Sequence, residues 1–193
     1  MRILAGTFKG HKLLPPPSSA ETRPITALVK KSLMGMLAGR LDGAVVVDLF
    51  CGTGTVGLEA ISEGARLCCF AERDGKVLAR LKRNIDSLGA ADRCTVWRGD
   101  VHARLADWLA GLDEPVDVAM VDPPYSLAGR WDWPRAERTV FAPLAGRLAA
   151  DGLVVLRLPK RVHCPDALGG LTVRRHREYG EMTLDLLAPP EGG

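Results

Sequence analysis

A chain of 193 residues, 47% hydrophobic and 25% charged, suffices for one globular domain with a sizeable core. No apolar run approaches the roughly 20 residues of a membrane span, and the opening "MRILAGTFKG" lacks the apolar stretch of a secretory signal, so the chain reads as cytoplasmic. Net charge is only +3, yet Arg2, Lys9, Lys12, Arg23, Lys30, Lys31 and Arg40 stand against Glu21 alone in the first 40 residues, an asymmetry that favours a polyanion on one face.

Residues 1–14 predict two short strands about a turn at Lys9-Gly10. "PPPSSAET" is too rich in Pro and Ser for helix or strand, so residues 1–21 are expected to form a basic hairpin and linker, and residues 22–193 a single domain. A helix opens at Thr22-Arg23-Pro24, with Thr22 or Arg23 at its boundary and Pro24 in the first turn. Ile25, Leu28, Val29, Leu33, Met36 and Leu37 make its apolar face, and Lys30 and Lys31 the opposite one.

From residue 44 strands and helices alternate. "AVVVDLF", "RLCCFAE", "RCTVWRGD", "VDVAMVD" and "GLVVLRL" read as five strands, apolar enough to be covered on both faces. Helices follow the first glycines, then span Val77 to Leu88 and Val101 to Leu112, and Arg135 to Ala150 reads as mostly helical. "LTVRRHREY" and "EMTLDLLA", joined near Gly180, predict an antiparallel pair. The alternation implies an α/β fold: a mostly parallel sheet with helices on both faces. The five cysteines, Cys51, Cys68, Cys69, Cys94 and Cys164, are odd in number and lack C-x-x-C spacing, which favours buried thiols over disulfides or zinc. The four histidines are scattered singly, and His102 reads as a solvated residue at a helix start; no metal site is expected.

Gly52, Gly54 and Gly57 spell G-x-G-x-x-G after the first strand. In such sheets ligands bind at the carboxyl ends of the strands, and those ends read Asp48, Glu72, Asp100 and Asp122. Glu72 suits a ribose diol of any cofactor. Asp48 discriminates: beside a pyrophosphate it would be a like charge in a dry cleft, several kcal/mol unfavourable by order of magnitude (~). S-adenosylmethionine (SAM) carries an ammonium and a sulfonium and no phosphate, so an acidic rim suits it, and a nicotinamide cofactor is disfavoured.

The fourth strand ends in "DPPY". The two prolines hold an extended path with no competing N–H groups. Asp122 and the Pro123 carbonyl can accept the two hydrogens of a conjugated exocyclic amine, and Tyr125 can stack on the base, so transfer would be catalysed by positioning and electrostatics. No cysteine lies near Asp122 to serve carbon methylation. In the following loop, "SLAGRWDWPRAERT", Arg130, Trp131 and Trp133 either form an RNA-stacking lid or pack the loop down.

"MRILAGTFKGHKL", "TRPITALVKKSL", "DLFCGTGTVGLEA", "FAERD", "RGDV", "DPPY" and "REYGEMTL", in this order, resemble the RsmD-type 16S ribosomal RNA guanine-N2 methyltransferases over nearly the whole chain. The resemblance implies a seven-stranded, Rossmann-like class I methyltransferase domain with its last strand antiparallel. It implies SAM as cofactor, and methylation of a guanine amine of 16S rRNA in the small ribosomal subunit, assembled or nearly so, by a monomer. Carried over, Asp48, Gly52 and Gly54 line the methionine end of SAM, with Cys51 and Thr53 of the same loop in the cofactor-binding set. Glu72 binds the ribose, Asp100 the adenine amine, and Arg73 and Val101 flank that ring. Thr22, Arg23 and Thr26 close over the cofactor, and Arg2, Lys9 and Lys12 meet RNA phosphates. The chain departs from the family at Ile25, where T-R-P-T is usual, at Met34-Gly35, where Phe-Asn is common, and at Cys51, where Ala is common. An adenine-N6 methyltransferase and a non-catalytic ribosome-assembly protein are the rival readings.

Overall fold

Alternating apolar and amphipathic segments build a single sheet in the computed structural model, which describes residues 1–18 and 25–190. The strands are β1 (Val45–Leu49), β2 (Leu67–Glu72), β3 (Cys94–Arg98), β4 (Val116–Val121), β5 (Leu148–Pro159), β6 (Ala167–Leu168), β7 (Leu171–Tyr179) and β8 (Met182–Ala188). They lie in the order β3-β2-β1-β4-β5-β8-β7-β6. The first five pair in parallel, and β8 runs antiparallel to both β5 and β7. The sheet has eight strands rather than the seven expected, because the two residues of β6 fold back on the start of β7. The chain begins the sheet at β1, builds outward to β3, and returns to the other side of β1 with β4. The crevice at the carboxyl ends of β1 and β4 is therefore the topological switch point.

Strand register decides which side chains share a face. Asp48 is level with Phe70 and Met120, and Met120 with Val155. Two residues on, Glu72, Asp122 and Arg157 belong to the same face by the two-residue period. That face is covered by α1 (Ala27–Met36), α2 (Gly57–Ser62) and α3 (Gly75–Leu88), whose apolar residues pack with Phe70, Met120 and Val155. The other face, carrying Leu49, Ala71, Val121 and Leu156, packs on α4 (Val101–Ala110) and α7 (Ala142–Ala145).

The structure differs from the expected elements in three places. First, the N-terminal hairpin shrinks to one bridge, Arg2 with Lys12. Backbone bonds still join its two arms, Ile3 N to His11 O and Leu13 N to Met1 O (both 3.0 Å), while side chains of the helices take further amides: Leu4 N and Ala5 N donate to Glu59 Oε1 (2.6 and 2.8 Å), Phe8 N to Ser62 Oγ (2.9 Å) and Leu14 N to Asn84 Oδ1 (2.8 Å). Ile3 and Leu13 are buried in the same core as the strands. Second, α1 begins at Ala27 with Thr26 as its N-cap, while Thr22, Arg23 and Pro24 lie outside the described residues. Its polar face is not where periodicity put it: Leu28 is 72% exposed, and Lys30 is buried because Glu59 Oε2 lies 2.5 Å from its Nζ. Third, residues 135–150 are not one helix. Helix α6 (Trp133–Ala136), a π-helical turn (Glu137–Phe141) and α7 follow in short pieces, and β5 has begun by Leu148. Pro143 has no N–H for the carbonyl of Thr139, which is where the regular ladder slips.

Candidate active site

The switch-point crevice is a cleft with two lobes that share Phe50, Glu72 and Pro124. The smaller lobe, about 80 Å³, is lined by Asp48, Cys51, Gly52, Thr53, Asp122, Pro123, Tyr125 and Arg157, with Met1, Pro16 and Ile25 of the N-terminal arm along one wall. The larger, about 240 Å³, has Ala71, Val101, Leu127 and Trp131 as apolar walls, with Arg73, Asp100, Arg130 and Arg135 at its edges. Here α5 (Tyr125–Ala128) carries the end of the DPPY motif and Leu127.

Strand β1 places Asp48 at the base of the smaller lobe, 2% exposed, where Gly57 N donates to its Oδ2 at 2.9 Å. Burial pushes its carboxyl up to about 7; the Gly57 hydrogen bond opposes this, the Asp122 charge adds to it, Arg157 opposes it and Glu72 adds a little more. Glu72, at the tip of β2, fastens the glycine loop: its Oε2 accepts from Gly52 N (3.2 Å), and its Oε1 from Arg73 N (2.8 Å) and Asp74 N (2.9 Å). Phe50, between these acids, is the one non-glycine residue with positive φ (59°) among the described residues. Such a backbone state costs on the order of 1 kcal/mol and persists only where surroundings enforce it. Sequence reading passed over Phe50; nothing in its residue type signals the conformation.

Beyond β4, Asp122 faces the same lobe with its side chain 24% exposed, and Arg157 Nε lies 2.5 Å from its Oδ1. Burial raises the Asp122 carboxyl above its ordinary range and Arg157 pulls it back. Arg157 was missed in the sequence. Its signal was there: an arginine inside the apolar strand "GLVVLRLP" needs a buried partner. Burial pushes the Cys51 and Cys68 thiols well up, with the Asp48 charge adding, so neither is poised as a thiolate nucleophile.

Asp48, Cys51, Gly52, Thr53, Glu72, Asp122, Pro123 and Tyr125 therefore converge on the smaller lobe, and Arg73, Asp100, Val101 and Arg130 on the larger. Arg73 and Asp100 approach to 4.0 Å across its rim. Other expected site residues do not converge. Gly54 is buried behind the loop, outside the residues lining either lobe, and an added Cβ would lie 2.4 Å from Leu81, so packing requires its missing side chain. Thr26 caps α1, accepting from Val29 N at 3.3 Å, and the neighbouring Ile25 lines the cleft in its place. Arg2 and Lys12 flank a groove that continues from the smaller lobe past Met1, Ile25 and Thr55, whereas Lys9 sits at the hairpin turn away from it.

Trp131 is not an open stacking platform. It is 8% exposed, with Phe141 and Trp133 rings at 5.9 and 5.3 Å. Its Nε1–H donates to His102 Nε2 at 3.2 Å. His102 is accordingly not a solvated helix-start residue. Its Nδ1 meets Thr139 Oγ1 at 2.7 Å, and Thr139 in turn donates to Arg135 O at 2.8 Å. That order of donors puts the imidazole proton on Nδ1 and ties the loop after DPPY to the start of α4.

A doubly covered, mostly parallel sheet, an acid-lined cleft at its switch point and DPPY on the fourth strand define a Rossmann-like methyltransferase. Residues 1–188 match the family described as "Conserved hypothetical protein 95", and the chain belongs to this family, the RsmD-type methyltransferases. It is 31% identical over 185 residues to YlbH of Bacillus subtilis, provisionally named an rRNA methyltransferase, a match that covers 93% of this chain and 94% of that protein. Over 125 residues it is 34% identical to ribosomal RNA small subunit methyltransferase D of Escherichia coli K12, covering 65% of this chain and 60% of that protein. Among solved structures, a hypothetical protein of Thermus thermophilus aligns with a TM-score of 0.78 at 32% identity, over 96% of this chain and 98% of that one. The Escherichia coli protein yhhF, provisionally named a methyltransferase, aligns with a TM-score of 0.75 at 27% identity, over 97% of this chain and 96% of that one.

Proposed function

We propose that this protein transfers a methyl group from SAM to the exocyclic N2 amine of a guanine in small-subunit ribosomal RNA, acting on the assembled or nearly assembled subunit. The observation that carries the reading is the sharing of one lobe by Asp122-Pro123-Pro124-Tyr125 and the acids Asp48 and Glu72. The substrate class follows the relatives: the Escherichia coli protein is named for small-subunit ribosomal RNA and YlbH for rRNA.

The residues present fit SAM. Three carboxylates, Asp48, Glu72 and Asp122, line a lobe in which Arg157 is the only basic side chain among the described residues, so a cationic ligand relieves their repulsion. The larger lobe offers a flat ring apolar walls at Ala71, Val101 and Leu127, with Asp100 at its edge for an amine. When bound, SAM supplies an electrophilic methyl group. Asp48 faces its cationic end, and Glu72 takes the ribose hydroxyls while keeping the glycine loop in place. Asp122 and the Pro123 carbonyl accept the hydrogens of the incoming amine, so that its lone pair leaves conjugation and points along the transfer axis. Tyr125 holds the base plane. Arg2 and Lys12, beside the mouth of the cleft, meet RNA phosphates.

The test uses labelled SAM with three substrates: small subunits from a strain lacking this methylation, free rRNA and duplex DNA. Label in the subunits supports the reading. Label confined to DNA contradicts it, and SAM binding with no label anywhere points to an assembly protein without turnover.

A further inference from the structure

Among the described residues one basic side chain, Arg157, stands in the lobe that holds Asp122. We propose that Arg157 is a positioning residue for methyl transfer, holding one oxygen of Asp122 so that the other faces the incoming amine. The proposal rests on the reading of Asp122 as acceptor of the amine hydrogen, and it goes beyond it by dividing the two carboxylate oxygens between two duties.

Strand register builds the pair. Val121 is level with Leu156 across the β4–β5 ladder, so Asp122 and Arg157 are neighbours on the face that also carries Asp48 and Glu72. The Arg157 side chain is only 10% exposed, and its Nε meets Asp122 Oδ1 at 2.5 Å. On its far side Nη1 approaches Met182 Sδ at 3.6 Å, which fixes the plane of the group from β8. With both side chains anchored at adjacent strand ends, the carboxylate cannot turn about its Cβ–Cγ bond without breaking the ion pair. With Oδ1 so held, Oδ2 is the oxygen the proposal assigns to the amine. A planar, permanently charged guanidinium sets such an orientation as a rotatable ammonium does not.

Arg157 also answers a problem of charge. Among the described residues, the ionisable groups lining the lobe with Asp122 are Asp48 from β1, Glu72 from β2, Cys51 from the glycine loop, Tyr125 after β4, the amino terminus of Met1, and Arg157 itself. Burial raises the Asp122 carboxyl and Arg157 is what opposes the rise. A protonated Asp122 would donate a hydrogen bond where the amine requires an acceptor. Removing the guanidinium therefore costs the acceptor twice, in direction and in charge.

The experiment compares wild type, Arg157→Met and Arg157→Lys by pH profiles of kcat and KM on small subunits, SAM affinity by calorimetry, and carbon-13 NMR titration of the Asp122 carboxyl. Arg157→Met is expected to lower kcat at neutral pH by about tenfold or more. Its acidic limb should move to higher pH in step with a raised Asp122 titration, with SAM affinity within about twofold of wild type on the same scale. Arg157→Lys should keep the limb near its wild-type position, and it also guards against a folding defect in the methionine variant. An unmoved limb and unmoved Asp122 titration in Arg157→Met overturn the proposal. So does a raised KM for subunits at unchanged kcat, which would assign Arg157 to the RNA. Wild type without turnover would contradict the methyltransferase reading instead, and the NMR titration then still decides whether Arg157 sets the state of Asp122.

Discussion

Gly57 gives Asp48 its hydrogen bond because it has no side chain: Gly57 N donates to Asp48 Oδ2 at 2.9 Å, and a Cβ built on Gly57 would lie 2.9 Å from that same oxygen. The Cβ would also fall 2.7 Å from Cys68 Sγ and 2.4 Å from the Phe70 ring. The third glycine of the loop is thus a spacing device between α2 and Asp48. Gly57→Ala is expected to destabilise by about 1–3 kcal/mol through overpacking and to weaken SAM binding. Urea unfolding and calorimetry measure the two effects; a variant as stable as wild type would remove the steric account.

Asp48 makes stability depend on pH in an unusual direction. Its carboxyl ionises at about 7 in the fold and at about 4 in the unfolded chain. The folded state therefore holds the extra proton between these values, and the contribution of Asp48 to stability falls as pH rises from about 4 to about 7. Asp48→Asn keeps an acceptor for Gly57 N and carries no charge. Relative to wild type it should gain stability at pH 8, by roughly 3–4 kcal/mol at most, and little at pH 4.5. On the proposed function the same residue should link SAM binding to protons. A bound cation favours the carboxylate, so SAM affinity should rise through pH 7 with proton release in wild type, and lose that dependence in Asp48→Asn. Calorimetry in buffers of different ionisation enthalpy counts the protons.

The N-terminal arm hangs on a buried ion pair. Lys30 Nζ lies 2.5 Å from Glu59 Oε2 and donates to Arg2 O at 2.7 Å, while Glu59 Oε1 takes the amides of Leu4 and Ala5. Lys30→Met leaves that carboxylate buried without its cation, at a cost of about 3–5 kcal/mol. Amide exchange at Leu4 and Ala5 should accelerate, and the wall that Met1 and Ile25 give the cleft should loosen. Lys30→Met/Glu59→Gln should recover part of the loss. Unchanged exchange in the single variant would contradict this role.

These pairs also mark what the sequence made legible. Strands β1 to β4 and helix α3 stand out because continuous apolar runs and the 3.6-residue period have few competing explanations. The acids at the strand tips follow from topology, and Asp48, Glu72, Asp100 and Asp122 all line the cleft. Periodicity failed where a distant partner changes the meaning of a residue. Lys30 reads as a surface lysine until Glu59, 29 positions on, is placed against it. Arg157 draws no notice in its apolar strand until β5 is laid beside β4 and Asp122 meets it. Trp131 reads equally as a stacking lid or as packing for its loop, and its contacts with His102 and Phe141 decide for packing.

Asp122→Ala removes the proposed acceptor and leaves the larger lobe untouched. SAM affinity should stay within about threefold of wild type, while kcat falls by about a hundredfold or more, as for a group acting in the transition state. Turnover retained at a tenth of wild type or better would take Asp122 out of catalysis.

One guanine amine is the proposed acceptor of the methyl group. Small subunits from a strain lacking the modification, incubated with trideuteromethyl SAM and digested to nucleosides, report the methylated atom by mass spectrometry. The label is expected in N2-methylguanosine. Label in N6-methyladenosine, or in a carbon-methylated pyrimidine, would contradict it.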